Sequence, residues 1–246
     1  MPPSVNILAG TSPFKRKVFT AMRPFIIPSA AILISYLLGS IPFALLIGKY
    51  YGVDIRKVGS GNVGATNVTR AVGKWAGRFC FFCDFAKGAL PVACCQWLPQ
   101  LCGGHFDIGT PPMWLPAAAG AAAILGHIFP IFLKFKGGKG ISTAAGAIFA
   151  IAPFPLLVAL AVWVVVYEVS GFVSLGSIAA AVALPLVALG FARFGIGTEL
   201  ARHPGMLGFF FSAAALAIWR HRSNIRRLLD GTEPSFKKPK NPPPEA

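Results

Sequence analysis

Seven apolar runs, separated by short polar segments, set the pattern of this chain. They fall at about residues 25–48, 79–98, 115–133, 141–153, 155–169, 172–191 and 205–220. Runs of this kind predict helices that cross a bilayer, whose hydrocarbon core takes about 20 apolar residues to span. The fourth run is short and rich in Ala and Gly. We expect it to be tilted, or to be entered by a loop that lies at membrane depth and is lined by protein. Pro153 and Pro155 mark a tight turn between the fourth and fifth runs.

An all-α integral membrane protein of seven transmembrane helices has a consequence for the polar segments. Those that follow runs one, three, five and seven share one side. They are Ser60–Arg70, Lys136–Gly140, Ser170–Ser177 and the tail from His221. All the unusual polar sequence therefore lands on one face.

Composition agrees with the pattern. Of 246 residues, 55% are hydrophobic and 13% charged, against about 25% charged in a soluble domain. There is no long linker, so we expect one membrane domain over 25–233. A basic, flexible N-terminal extension (1–24) precedes it, and a disordered Lys/Pro-rich tail (234–246) follows. The extension and the first run mimic a signal peptide, but the run is long enough to span and no clear cleavage site precedes the polar motifs. The five cysteines include Cys80 and Cys83 at CxxC spacing. No second pair and no nearby His completes a zinc set, so packing in a membrane helix is the plainer reading.

The net charge is +15, and its distribution assigns the sides. Six Lys/Arg lie between Lys49 and Arg78, three between Lys134 and Lys139, and seven from Arg220 to the end; the other face carries Arg193, Arg202 and the four of the extension. The balance puts the motif face in the cytoplasm, with the extension as the dissenting element. The basic residues cluster briefly between apolar runs, which speaks against nucleic acid as a partner.

The motif face is rich in anion binders. Lys134 to Gly140 holds three lysines and three glycines in seven residues. It is no Walker A loop: Gly140 follows Lys139 where Ser or Thr is required, and Leu133 stands where the first Gly should be. Consecutive glycines still let backbone N–H groups approach an anion, and the next helix presents its positive N-terminus. The plainer alternative is a basic loop that only enforces topology. Ser60 to Arg70 adds Ser60, Asn62, Thr66 and Asn67 as hydrogen-bonding groups, with Arg70 able to clamp a phosphate through two parallel bonds; otherwise it is a glycine-rich connector. His221 and Asn224, and likewise Ser174 and Ser177, are three apart and share a helix face. Interfacial polarity and helix packing are the alternatives for these pairs. Asp84 and Lys87 share a face early in the second run and read as a structural ion pair. His127, before the glycine loop, reads as structural support. No glycosidase-type acid pair, HExxH, G-x-S-x-G or Ser-His-Asp spacing is present, so the chemistry expected is one whose substrates bring phosphate.

Four stretches then carry a resemblance: Gly59-Ser60-Gly61-Asn62-Val63-Gly64-Ala65-Thr66-Asn67-Val68-Thr69-Arg70, Phe135-Lys136-Gly137-Gly138-Lys139-Gly140, Val173-Ser174-Leu175-Gly176-Ser177, and His221 to Glu233. In this order they closely resemble the bacterial membrane glycerol-3-phosphate acyltransferases that use acyl-phosphate donors (the PlsY family), over about residues 28–233. Asp84-Phe85-Ala86-Lys87-Gly88 also fits. The resemblance implies transfer of a fatty acyl group from acyl phosphate to the 1-hydroxyl of sn-glycerol 3-phosphate. The products are lysophosphatidate and inorganic phosphate, in the first acylation of phospholipid synthesis, with no cofactor and no metal. It implies a multi-pass protein of the bacterial inner membrane, with its active site facing the cytoplasm and a functional link to the enzyme making acyl phosphate.

By the same resemblance Lys139, His221 and Asn224 are catalytic, and Ser60, Asn62, Asn67, Arg70, Gly137, Gly138, Gly140, Ser174 and Ser177 bind substrate. Residues 1–24 have no counterpart in shorter relatives. Many relatives carry a basic residue before the serine motif, where this chain has Ser170-Gly171. A transporter of a phosphorylated metabolite shares the anion preference. Against it stand a site at one face and the lack of an internal repeat.

Overall fold

The structure is a computed structural model and describes residues 13–101, 112–197 and 202–237. His105 and Cys102 lie outside the described residues. Among those described the chain is entirely helical: α1 (Pro13–Gly39), α2 (Phe43–Tyr50), α3 (Ala65–Ala71), α4 (Lys74–Leu101), α5 (Leu115–Ile128), a 3₁₀ turn (Ile131–Leu133), α6 (Ile141–Ile151), α7 (Pro153–Ser170), α8 (Val173–Arg193), α9 (Pro204–Arg220) and α10 (Arg222–Leu229). Among the described residues five stretches are long and apolar enough to cross a membrane: Phe25–Tyr50, Lys74–Trp97, Leu115–Leu133, Pro153–Ser170 and Val173–Arg193. α6 and α9 are apolar but shorter.

Three boundaries differ from expectation, each for a local reason. α1 begins at Pro13, inside the extension expected to be flexible. The first apolar run is broken at Ser40-Ile41-Pro42, because Pro42 has no N–H to continue the helix and disfavours a helical residue before it. The Ile41 carbonyl at the break accepts from the Phe43 N–H at 3.1 Å and from Lys87 Nζ at 2.8 Å. Finally, Ser60–Arg70 is not all loop: its second half forms α3, packed on α4.

Close helix contact is made at small residues, where van der Waals packing holds membrane helices together. A Cβ on Gly39 would lie 2.2 Å from the Ala123 carbonyl oxygen, and one on Gly126 would lie 2.3 Å from that of Tyr36, so α1 and α5 touch backbone to backbone. α4 and α6 meet the same way at Gly88 and Gly146. The main core gathers Val92, Ile124, Ile148, Leu184, Met206 and Phe210 from five helices. Leu33, Phe82, Leu157, Val165 and Leu186 point outward, as lipid-facing positions should.

α6 deserves its short length. Eleven residues rise about 16 Å, roughly half the hydrocarbon thickness. Thr143, Gly146, Ala147, Ile148 and Ile151 are buried, so one face of α6 packs into the protein while Phe149 points outward. The turn expected at Pro153 and Pro155 is a single residue, Ala152, between α6 and α7.

Candidate functional site

The glycine-rich loop is built on the end of α5. Lys134 and Phe135 both take positive φ, 51° and 62°, a conformation that costs a non-glycine residue on the order of 1 kcal/mol. This double reversal returns the chain to α5: the Gly137 N–H donates to the Ile128 carbonyl at 3.1 Å and the Gly138 N–H to that of His127 at 3.2 Å. The reason for glycine here therefore differs from the one expected. A Cβ on Gly137 would lie 2.1 Å from the His127 carbonyl oxygen, and one on Gly138 would lie 2.2 Å from His127 Nε2 and 2.3 Å from the Val63 carbonyl oxygen. Crowding, not approach of an anion to these two amides, excludes side chains at 137 and 138. The N–H groups without a partner within their helix are those of the first turn of α6, the end a helix presents to an anion. Gly140, at φ 81°, makes the sharp entry into that helix.

Beneath the loop lies a buried polar cluster. Lys87 Nζ is 2.8 Å from the Asp84 carboxylate, as the ion-pair reading expected. His127 Nδ1 is 3.6 Å from the same carboxylate and 3.1 Å from the Thr143 hydroxyl. Asp84 and Lys87 are only 1% and 6% exposed. The cluster ties α4, α5, the start of α6 and the α1 break into one support, which bears out the structural role expected of His127.

Lys139 leads from the loop to the C-terminal segment. Its Nζ donates to Asn224 Oδ1 at 2.6 Å. Asn224 Nδ2 donates to Glu233 Oε1 at 2.7 Å. The Ser174 hydroxyl donates to the same oxygen at 2.6 Å, and Arg227 Nε donates to Oε2 at 2.8 Å. Arg220, at the end of α9, donates to the carbonyls of Gly137 and Gly138 at 3.3 and 2.9 Å. Arg70, on α3, donates to the Pro234 carbonyl at 3.0 Å. Segments expected to share a face thus meet through side chains drawn from all four.

Burial lowers the Lys139 ammonium to about 8, with Glu233 opposing the shift and Arg227, Arg70 and Arg220 adding to it. His221 lies at the junction of α9 and α10. Its Nδ1 is 2.8 Å from the Ala217 carbonyl, which can only accept, so the ring proton sits on Nδ1 and Nε2 carries the lone pair. Burial, then the Lys139 charge, lowers it to about 4, so it is neutral near pH 7. Burial would raise the Glu233 carboxyl, but hydrogen bonds from Ser174, Asn224 and Arg227 hold it below its usual value.

Several expected ligands have other employment. Asn67 is buried, accepts the Ser60 N–H at 2.9 Å and the Ser60 hydroxyl at 3.3 Å, and donates to the Ile55 and Val58 carbonyls. It braces the loop that carries Ser60. Ser177 donates to the Val173 carbonyl and accepts from the Trp163 indole, a packing role between α7 and α8. Ser174, by contrast, belongs to the Lys139 network. Asn62 and Ser60 stand on the loop that leads into α3 and Arg70.

Glu233, Arg220 and Arg227 carry the network and were given no role from the sequence. The available signal for Glu233 was an acid closing the fourth motif in a chain with only eight Asp and Glu. The tail expected to be disordered is placed at its start. The Phe236 N–H donates to the Gly171 carbonyl at 3.1 Å, and the Phe236 ring lies 4.6 Å from Arg70 Cζ.

With the geometry in place, three comparisons bear on it. The profile of the family described as glycerol-3-phosphate acyltransferase matches residues 29–231. A glycerol-3-phosphate acyltransferase of Salinibacter ruber is 46% identical over 207 residues, covering 82% of this chain and 89% of the relative. One from Trichlorobacter lovleyi is 45% identical over 203 residues, covering 82% and 94%. Among solved structures, the glycerol 3-phosphate form of PlsY, an integral membrane glycerol 3-phosphate acyltransferase, is 40% identical, with TM-score 0.72 over 85% of this chain and 96% of that one. Its lysophosphatidic acid form is 39% identical, with TM-score 0.70 over 85% and 95%.

Proposed function

The chain belongs to the glycerol-3-phosphate acyltransferase family, and from that premise we propose that it transfers a fatty acyl group from acyl phosphate to the 1-hydroxyl of sn-glycerol 3-phosphate. It is an acyltransferase of the multi-pass membrane kind. The observation that carries the finer reading is the convergence of Lys139, His221, Asn224, Arg70 and the start of α6 at one end of the helices, supported by the Glu233 network.

An acyl phosphate is an activated mixed anhydride, so no covalent enzyme nucleophile is required. Lys139 and the first N–H groups of α6 neutralise the departing phosphate. Arg70 on α3, with Ser60 and Asn62 on the loop before it, holds the acceptor phosphate and so keeps the hydroxyl in attacking range. The acceptor oxygen bonds to the acyl carbon, the bond from that carbon to the phosphate oxygen breaks, and the proton passes to a phosphate oxygen. A histidine held neutral down to about pH 4 is a weak base, which favours the substrate as proton acceptor. Asn224, fully engaged between Lys139 and Glu233, aims the ammonium. The clustering of basic segments at this end supports a site that faces the cytoplasm of a bacterial inner membrane, in a protein of seven membrane helices of which α6 and α9 are the short ones. The donor comes from an enzyme that makes acyl phosphate.

The test is release of inorganic phosphate by purified protein in detergent or lipid mesophase. Release that requires both acyl phosphate and glycerol 3-phosphate supports the reading; activity with acyl-CoA but not acyl phosphate overturns the donor assignment.

A further inference from the structure

Residues 234–237 lie beyond the stretch matched by the family profile, which ends at residue 231, yet they reach across the site. On one side the Pro234 carbonyl accepts from Arg70 Nη2 at 3.0 Å, and the Phe236 ring lies 4.6 Å from the Arg70 guanidinium carbon. On the other side the segment is fixed to the turn between α7 and α8. The Ser235 hydroxyl and the Phe236 N–H both donate to the Gly171 carbonyl, at 3.3 and 3.1 Å. The Lys237 ammonium donates to the carbonyls of Glu168 and Val169. The turn is shaped for this: Gly171 has φ +77°, and a Cβ there would come within 2.6 Å of Ser235 Oγ and 2.9 Å of Lys237 Cγ.

Building on the assignment of Arg70 to the acceptor phosphate, we propose that Pro234–Lys237 is a strap that positions Arg70 for that phosphate, with Pro234 and Phe236 as positioning residues. A guanidinium has five N–H donors in a rigid fork. The Pro234 carbonyl takes one, and the Phe236 ring engages the guanidinium without using another. Donors remain for two parallel bonds to phosphate. A neutral carbonyl and an aromatic ring leave the positive charge intact, so the strap does not compete for the phosphate as a carboxylate would. An arginine already fixed has lost its rotamer freedom before the ligand arrives, and binding is tighter by the ordering it no longer has to supply. The strap's far anchor on the α7–α8 turn makes the fixing independent of α3, which carries Arg70.

The experiment is calorimetric titration of the full-length protein in detergent with sn-glycerol 3-phosphate, without donor, alongside steady-state phosphate release. Phe236→Ala, and separately the triple change Pro234→Gly, Ser235→Gly, Phe236→Gly, should weaken glycerol 3-phosphate binding roughly twofold to tenfold. KM for the acceptor should rise in step, with kcat changed by less than about twofold. Phe236→Trp should retain affinity, since the larger ring still faces the guanidinium. In an Arg70→Lys background, Phe236→Ala should weaken binding no further. Unchanged affinity in both strap variants would overturn the proposal, as would tighter binding, which would mean that the strap competes with substrate. An equal loss in the Arg70→Lys background would overturn it too. If the unaltered chain bound no glycerol 3-phosphate, the acceptor assignment itself would fall, and the strap with it.

Discussion

Lys139 Nζ and Asn224 Oδ1 lie 2.6 Å apart although 85 positions separate them in the chain. The bond joins the loop before α6 to the C-terminal segment, and it makes the placement of one cation depend on an uncharged side chain. Lys139→Ala should lower kcat by about 100-fold or more, the scale seen when one stabilising donor is removed. Asn224→Ala should cost less, because the ammonium remains but is no longer aimed. The rates of phosphate release by the two variants, compared at saturating substrate, check this order.

The pH profile follows from the same lysine. Its cation is present below about pH 8 and lost above it. The free enzyme's kcat/KM for the donor should therefore fall as pH rises through about 8, and titrating activity between pH 6 and 10 reads the midpoint. Lys139→Arg should keep whatever activity it has across that range, since a guanidinium does not titrate there.

His221 gives opposite information. With Nδ1 committed to Ala217 and its pKa near 4, it should not act as the general base. His221→Gln should keep turnover within about tenfold of the parent, whereas loss of a true base costs about 100-fold to 10,000-fold. Stability has its own sign. The unfolded chain takes up a proton at this histidine near pH 6.5, and the folded chain not until about 4. Stability should decline as pH falls between those values, and thermal melts of His221→Gln should decline less.

The support beneath the loop predicts non-additive stability. Asp84→Ala leaves the Lys87 ammonium buried and unpaired and should cost about 3–5 kcal/mol. Asp84→Ala combined with Lys87→Met should cost less than the sum of the two single changes. Thermal midpoints of the four proteins in one detergent provide the cycle.

How much of this was legible from residues alone depended on what each signal measured. Hydropathy located the apolar helices, since it reports transfer from water, but it passed over the break at Pro42, where the flanking residues are as apolar as those of the helix. Helical spacing found the Asp84–Lys87 pair because three residues on one helix fix the distance. At Ser174 and Ser177 spacing says less: one hydroxyl bonds Glu233 and the other Val173 and Trp163. Those partners are set by tertiary packing. Asn67 has the polarity of a ligand, yet both ends of its amide hold the chain around it. The glycines at 137 and 138 were recognisable as necessary, but not why, because the crowding comes from His127 and Val63, which are remote in sequence or buried behind the turn.

The Ile41 carbonyl, at the break after α1, accepts locally only from the Phe43 N–H at 3.1 Å and takes its second, shorter bond from Lys87 of α4. During synthesis that lysine emerges 46 residues later. The first hydrophobic stretch therefore enters the bilayer with its break closed by one local bond, and the charged donor that completes it comes from a later segment. Assembly of the break is thereby shared between two segments: its local bond forms within the N-terminal stretch, and its second bond only when α4 packs beside it. A change at Lys87 would thus loosen the packing of the break on α4 as well as unpair Asp84.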